Sequence, residues 1–153
     1  MFSLLGLPSL LVAILHPAPY KLILPPDILQ FLLFIVSSIL AMGVVVSFGM
    51  FIYISTFYTM SPIGVRIIGA VFTDFMAGSI VPLPFFPNGF RQIAEALPFA
   101  AMQNMPLRIY SGNITGTDAL TGILFQVMWL IALSVTGKMW MSKTMKRTVI
   151  QGG

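Results

Sequence analysis

Long apolar runs dominate the chain, separated by stretches rich in proline. The longest, Ile28 to Met60, carries no charged residue. At about 1.5 Å per helical residue it exceeds the ~30 Å hydrocarbon core of a bilayer, so a helix there must tilt or project. A second span is predicted from about Ile63 to Val81. The turn Ser61-Pro62-Ile63-Gly64 opens it, with proline favoured in a first helical turn. A last span is predicted from about Ala119 to Gly137. It comes after a polar turn, Ser111 to Asp118, in which Thr117 or Asp118 can cap the helix. Met1 to Leu15 is apolar, but it is short and broken by Gly6 and Pro8. No Lys or Arg precedes Lys21, so it does not read as a signal peptide. It reads instead as the end of a helix whose beginning is missing. Pro17, Pro19, Pro25 and Pro26 then make a loop.

Between the second and last spans the pattern changes. Pro82, Pro84 and Pro87 end the helix. From Phe90 to Leu97 the period is helical: Phe90, Ile93 and Leu97 share one face, while Arg91 and Glu95 pair on another. Pro98 interrupts, and a short apolar segment runs from Phe99 to Met105 before Pro106. These pieces are too short to span. They are either re-entrant helices covered by protein or amphipathic helices on the membrane surface. The fold class is therefore an all-α membrane protein, one domain over residues 1–153. It has three full transmembrane helices, a partial N-terminal one and short external re-entrant or interfacial helices before the last span.

Composition strengthens this reading. Of the residues, 58% are apolar and 8% charged, against about 25% charged in an ordinary globular domain. Lipid must serve as solvent for most side chains. The net charge is +4, but it is no nucleic-acid signal. Lys138, Lys143, Lys146 and Arg147 cluster at one end without an acid among them. Such a cluster beside an apolar segment marks the cytoplasmic side. The Leu83–Asp118 segment and the Pro17–Asp27 loop then lie outside, and the Phe57–Ile63 connection lies inside.

No enzyme site is legible. There is no phosphate-binding glycine loop, no metal-ligand cluster and no Ser-His-Asp set, and cysteine is absent. The candidate residues are instead polar groups within spans. Asp74 lies near the middle of the second span, with Arg66 two turns earlier and able to snorkel to the headgroups. Asp74 could bind substrate, accept a proton, or simply hydrogen-bond in a helix interface. Two small-residue ridges, Gly69-Thr73-Ala77 and Ala70-Asp74-Gly78, should face protein. Ser37 and Ala41, and Gly43 and Ser47, offer the same spacing on the first span. Gln126 is the buried polar residue of the last span, and Trp140 lies near the basic tail, where an interfacial tryptophan belongs.

The run Gly78-Ser79-Ile80-Val81-Pro82-Leu83-Pro84-Phe85-Phe86-Pro87-Asn88-Gly89-Phe90 resembles the exit of the fifth helix in type-2 ABC transporter permeases. Ile93 to Phe99, then Met105-Pro106 and Ile109-Tyr110-Ser111-Gly112, is similar to the segment after that exit in the same family. The ending from Lys146 to Gly153 is similar to the tail of one bacterial branch of it. The resemblance runs from about Ser61 to the end, and the part before it matches in hydropathy only.

The resemblance implies the permease subunit of an ATP-driven bacterial exporter in the inner membrane, with its C-terminus cytoplasmic. It implies a second permease subunit, alike or related, and an ATP-binding cassette subunit, so that ATP is held on the partner and no cofactor on this chain. The pathway would work by alternating access, with Pro82, Pro84, Phe85, Phe86 and Pro87 as an external gate turn. It also implies two further spans before Met1. The competing reading is a non-transporting membrane scaffold or partner protein, for which the small-residue faces would be docking surfaces only.

Overall fold

Nothing from Ile28 to Thr56 interrupts a helix: there is no proline and no charge to solvate. In the computed structural model those 29 residues form one helix, α1, about 44 Å long. The structure describes residues 27–59 and 61–151, with side chains through Lys146. The partial N-terminal helix, the proline loop and the last two glycines lie outside the described residues.

Helix α2, Pro62–Ala77, has proline in its first turn, as expected. It stops four residues before the predicted Val81. Gly78 adopts φ 85°, its N–H bonds the carbonyl of Phe75, and the N–H of Ser79 bonds that of Asp74. This left-handed closure satisfies the last carbonyls of the helix and turns the chain away. Its 16 residues reach about 24 Å, less than the hydrocarbon core. Gly78 thus ends the helix; it does not continue the ridge of Ala70 and Asp74.

Gly78→Ala is expected to destabilise the fold by about 1–2 kcal/mol, the cost of a left-handed residue with a Cβ. The added atom would also sit 3.2 Å from Leu83 Cγ. A Cβ added at Gly89 would have nothing within 4 Å, so Gly89→Ala is the control. Thermal unfolding of the two variants in detergent checks the difference.

The last helix, α6, runs from Gly116 to Gln151. It begins before Thr117 and Asp118, which lie in its first turn and do not cap it, and it continues past Gly137 through the lysines. Among the described residues, α1 and α6 are the two helices long and apolar enough to cross a membrane. They run parallel. Ser37 bonds Gln126 at 2.9 Å, Ser47 bonds Ser134 at 3.1 Å, and Tyr58 bonds Thr144 at 2.8 Å. A Cβ on Gly43 would stand 3.0 Å from Leu130 Cδ1. The small residues of α1 therefore do allow the close approach their spacing predicts. Helix α2 lies antiparallel to α1, and a Cβ on Gly69 would meet Ile52 Cδ1 at 2.9 Å.

Between α2 and α6 come a 3-10 turn, Leu83–Phe85, and three short helices: α3, Asn88–Ala96; α4, Pro98–Met102; and α5, Asn104–Tyr110. The predicted Phe99–Met105 segment is split at Gln103, whose φ of −127° leaves the helical range. Pro106 does not stop the chain. It falls in the first turn of α5, where its missing N–H breaks no helical bond.

Candidate functional site

Helix α4 is the centre of the molecule. All five of its residues are buried. Four of them, Phe99 to Met102, join Val44 of α1, Met76 and Ala77 of α2, and Leu133 of α6 in one apolar cluster. Phe99 packs edge-on against Phe48 of α1, at 5.0 Å between ring centroids, and against Phe72 of α2, at 5.6 Å. Phe48 lies twenty residues along α1 from Ile28, so the α4 segment passes the midpoint of that helix. Burial at this depth favours the re-entrant reading over a helix lying on the membrane surface. Helix α2 ends beside the same cluster, with Met76 and Ala77 in it.

A broken backbone so deep needs polar partners, because lipid supplies none. Gln126 provides them. It is 0% exposed. Its Nε2 donates to the carbonyl of Ala101 at 2.9 Å and to that of Ser37 at 3.1 Å, and its Oε1 accepts the Ser37 hydroxyl. Ala101 is the next-to-last residue of a five-residue helix, so its carbonyl has no partner along the helix. One amide thus joins α1, α4 and α6.

Gln30 makes a second clamp, which periodicity does not single out. Its Nε2 donates to the carbonyls of Ile109 and Ile114, at 2.6 and 2.8 Å. It ties the end of α5 and the turn after it to the first turn of α1. The signal in the sequence is an amide in an otherwise apolar, uncharged run. Ser79, just past α2, donates its hydroxyl to Gln103 Oε1 at the break between α4 and α5.

The other candidates are dispersed. In the proline turn Leu83 and Phe86 are buried, and Phe86 packs on Phe75 at 5.2 Å and Phe90 at 5.1 Å. Phe85 points outward and is 79% exposed; Pro82, Pro84 and Pro87 are exposed as well. Asp74 is exposed on α2, on the ridge with Ala70, while the ridge of Gly69, Thr73 and Ala77 turns inward. The structure therefore does not bring Asp74 and Gln126 together. Arg66 stands at the opposite end of α2, its guanidinium 5.3 Å from the centre of the Tyr53 ring. Among the described residues no group of three or more His, Cys, Asp or Glu side chains could hold a metal.

A family model described as an ABC-2 family transporter protein matches residues 1–152. No curated protein and no solved structure matches the chain.

Proposed function

The chain belongs to the ABC-2 transporter family as a membrane permease component, and from that premise we propose that it forms the pathway of an ATP-driven exporter working by alternating access. ATP would be bound and hydrolysed on an ATP-binding cassette subunit. A second permease subunit, alike or related, would complete the pathway. The setting would be the bacterial inner membrane. The α1–α2 connection and the lysine-rich end of α6 would face the cytoplasm, and α3 to α5 would form the external cap.

The observation that supports this reading most is the unequal attachment of α4. A hydrogen bond from Gln126 fixes it to α6, and the same amide ties α6 to α1. Along the body of α2, by contrast, its contacts are apolar, with Phe72, Met76 and Ala77, and the directional tie is Ser79 to Gln103, past the ends of both helices. Directional bonds resist sliding more than ring contacts do. Helix α2 could therefore rock against an α1–α4–α6 body, carrying the proline turn with it. In that scheme Gln126 holds the body together, and Asp74 lies on the moving helix.

The test is to sequence the reading frames beside this gene for an ATP-binding cassette protein and to co-express that protein with this chain. The expected outcome is copurification of the two and ATP-dependent uptake by inverted vesicles that needs both. A chain that binds no ATPase and moves nothing would be a scaffold, and the proposal would fall.

A further inference from the structure

Between α1 and α2, at the end where α6 carries its lysines, lies a groove of about 480 Å³ lined by Gly49, Ile52, Tyr53, Ile63, Arg66, Ile67 and Ala70. It exists because small residues leave it open: a Cβ on Gly49 would have no neighbour within 4 Å. We propose that this groove binds one anionic phospholipid of the adjoining leaflet, with its phosphate on Arg66 and an acyl chain along Gly49 and Ala70.

Polarity and depth both fit that occupant. Tyr53 and Arg66 each lie about one turn from the ends of their helices, Thr56 and Pro62. Tyr58 and Trp140 stack at the same end, as aromatic side chains do at the headgroup level. From there the groove runs inward, past Ile67, to Gly49 and Ala70, and loses its polar groups. A charged mouth and an apolar interior match a phospholipid lying parallel to the helices.

The charge balance also selects the ligand. Among the described residues the one ion pair joins Arg91 and Glu95, so Arg66 has no acid partner there. Of the four acids in the chain, Asp27, Glu95 and Asp118 stand toward the other end, and Asp74 is two turns further along α2. The guanidinium carbon lies over the Tyr53 ring, 5.3 Å from its centre. With no carboxylate paired to it among the described residues, its N–H groups can make a forked bond to a phosphate. A helix of a second copy laid in the groove would bury this cation without a carboxylate from that end of the chain, which is costly in lipid. Lys138, Lys143 and Lys146 raise the local concentration of anionic lipid at the same level.

The experiment is native mass spectrometry of the full chain in mild detergent, titrated with phosphatidylglycerol or phosphatidylcholine. One phosphatidylglycerol should be retained per chain, in preference to phosphatidylcholine. Arg66→Gln should weaken that binding about tenfold, the loss of one charge-assisted bond, and should abolish the preference. Arg108→Gln, which removes a charge at the other end of the helices, should leave it intact. Gly49→Leu starts its side chain where a Cβ meets nothing within 4 Å and should abolish binding of both lipids; it decides the matter if Arg66→Gln does not fold. Equal retention of the two lipids by the natural chain, or wild-type binding by Gly49→Leu, overturns the proposal. So does efficient disulfide cross-linking between copies through Gly49→Cys in this cysteine-free chain, since the groove would then be a protein interface.

Discussion

Gln126→Leu is expected to lower the stability of the folded chain by about 2 kcal/mol and to loosen α4 and α5 before the rest of the molecule. Leucine has nearly the same bulk, so the effect is polar. Three buried groups lose a partner: the Ser37 hydroxyl, the Ser37 carbonyl, which lies within α1 and keeps its helical bond, and the Ala101 carbonyl. The hydroxyl has a remedy. It can turn to a carbonyl one turn back, as Ser55 does to Phe51 and Thr121 does to Thr117. The Ala101 carbonyl, at the end of a helix too short to satisfy it, has no such option. An orphaned buried acceptor costs about 1–3 kcal/mol, which sets the expected size.

Denaturant unfolding in micelles gives the magnitude, and hydrogen exchange gives the location. Amides from Phe99 to Tyr110 should exchange faster in the variant, while those in the middle of α1 stay protected. In a double-mutant cycle with Ser37→Ala the coupling should be about 1 kcal/mol. If Gln126→Leu is as stable as the natural chain and α4 exchanges no faster, the amide does not hold the hairpin.

This site is only partly legible in the sequence. Gln126 stands out because an amide within an apolar span must find a partner. The close approach along Ser37, Gly43 and Ser47 is legible too, because small residues four apart permit it wherever a second helix is present. The identity of the partner is not. Nothing local says that Gln126 serves a carbonyl 25 residues away, because that pairing depends on how deep the hairpin sits.

The end of α2 is ambiguous for a related reason. Glycine at four-residue spacing from Asp74 fits a helix face and a left-handed stop equally well, and only the backbone of Gly78 distinguishes them. The spacing of small residues puts Asp74 toward protein, but its ridge is the outer one of the two on α2. Gln30 carries the same signal, an amide in an apolar run, but its partners, the carbonyls of Ile109 and Ile114, belong to residues whose placement no hydropathy pattern reveals.

The largest loss is expected from Phe99→Ala, about 3 kcal/mol, in the range for emptying a buried aromatic site. Phe99 is the wedge between α1 and α2, touching Phe48 on one side and Phe72 on the other. Removing the ring leaves a cavity that the surroundings cannot easily close. Gln126 holds α4 to α6, and the contact of Gly69 with Ile52 limits how far α2 can approach α1. Lipid chains outside do not refill an internal void of this kind, so the lost contacts are not replaced. Phe99→Leu retains most of the volume and should cost less than half as much. Phe48→Ala and Phe72→Ala each remove one side of the wedge and should fall between the two.

The functional consequence separates a wedge from ordinary filling. If α2 is the element that rocks, Phe99→Ala should uncouple it. ATP hydrolysis by a copurified partner should then persist while transport falls, and Phe99→Leu should restore transport. Equal loss of assembly, hydrolysis and transport in both variants would reduce Phe99 to a packing residue and remove the main structural support for a moving α2.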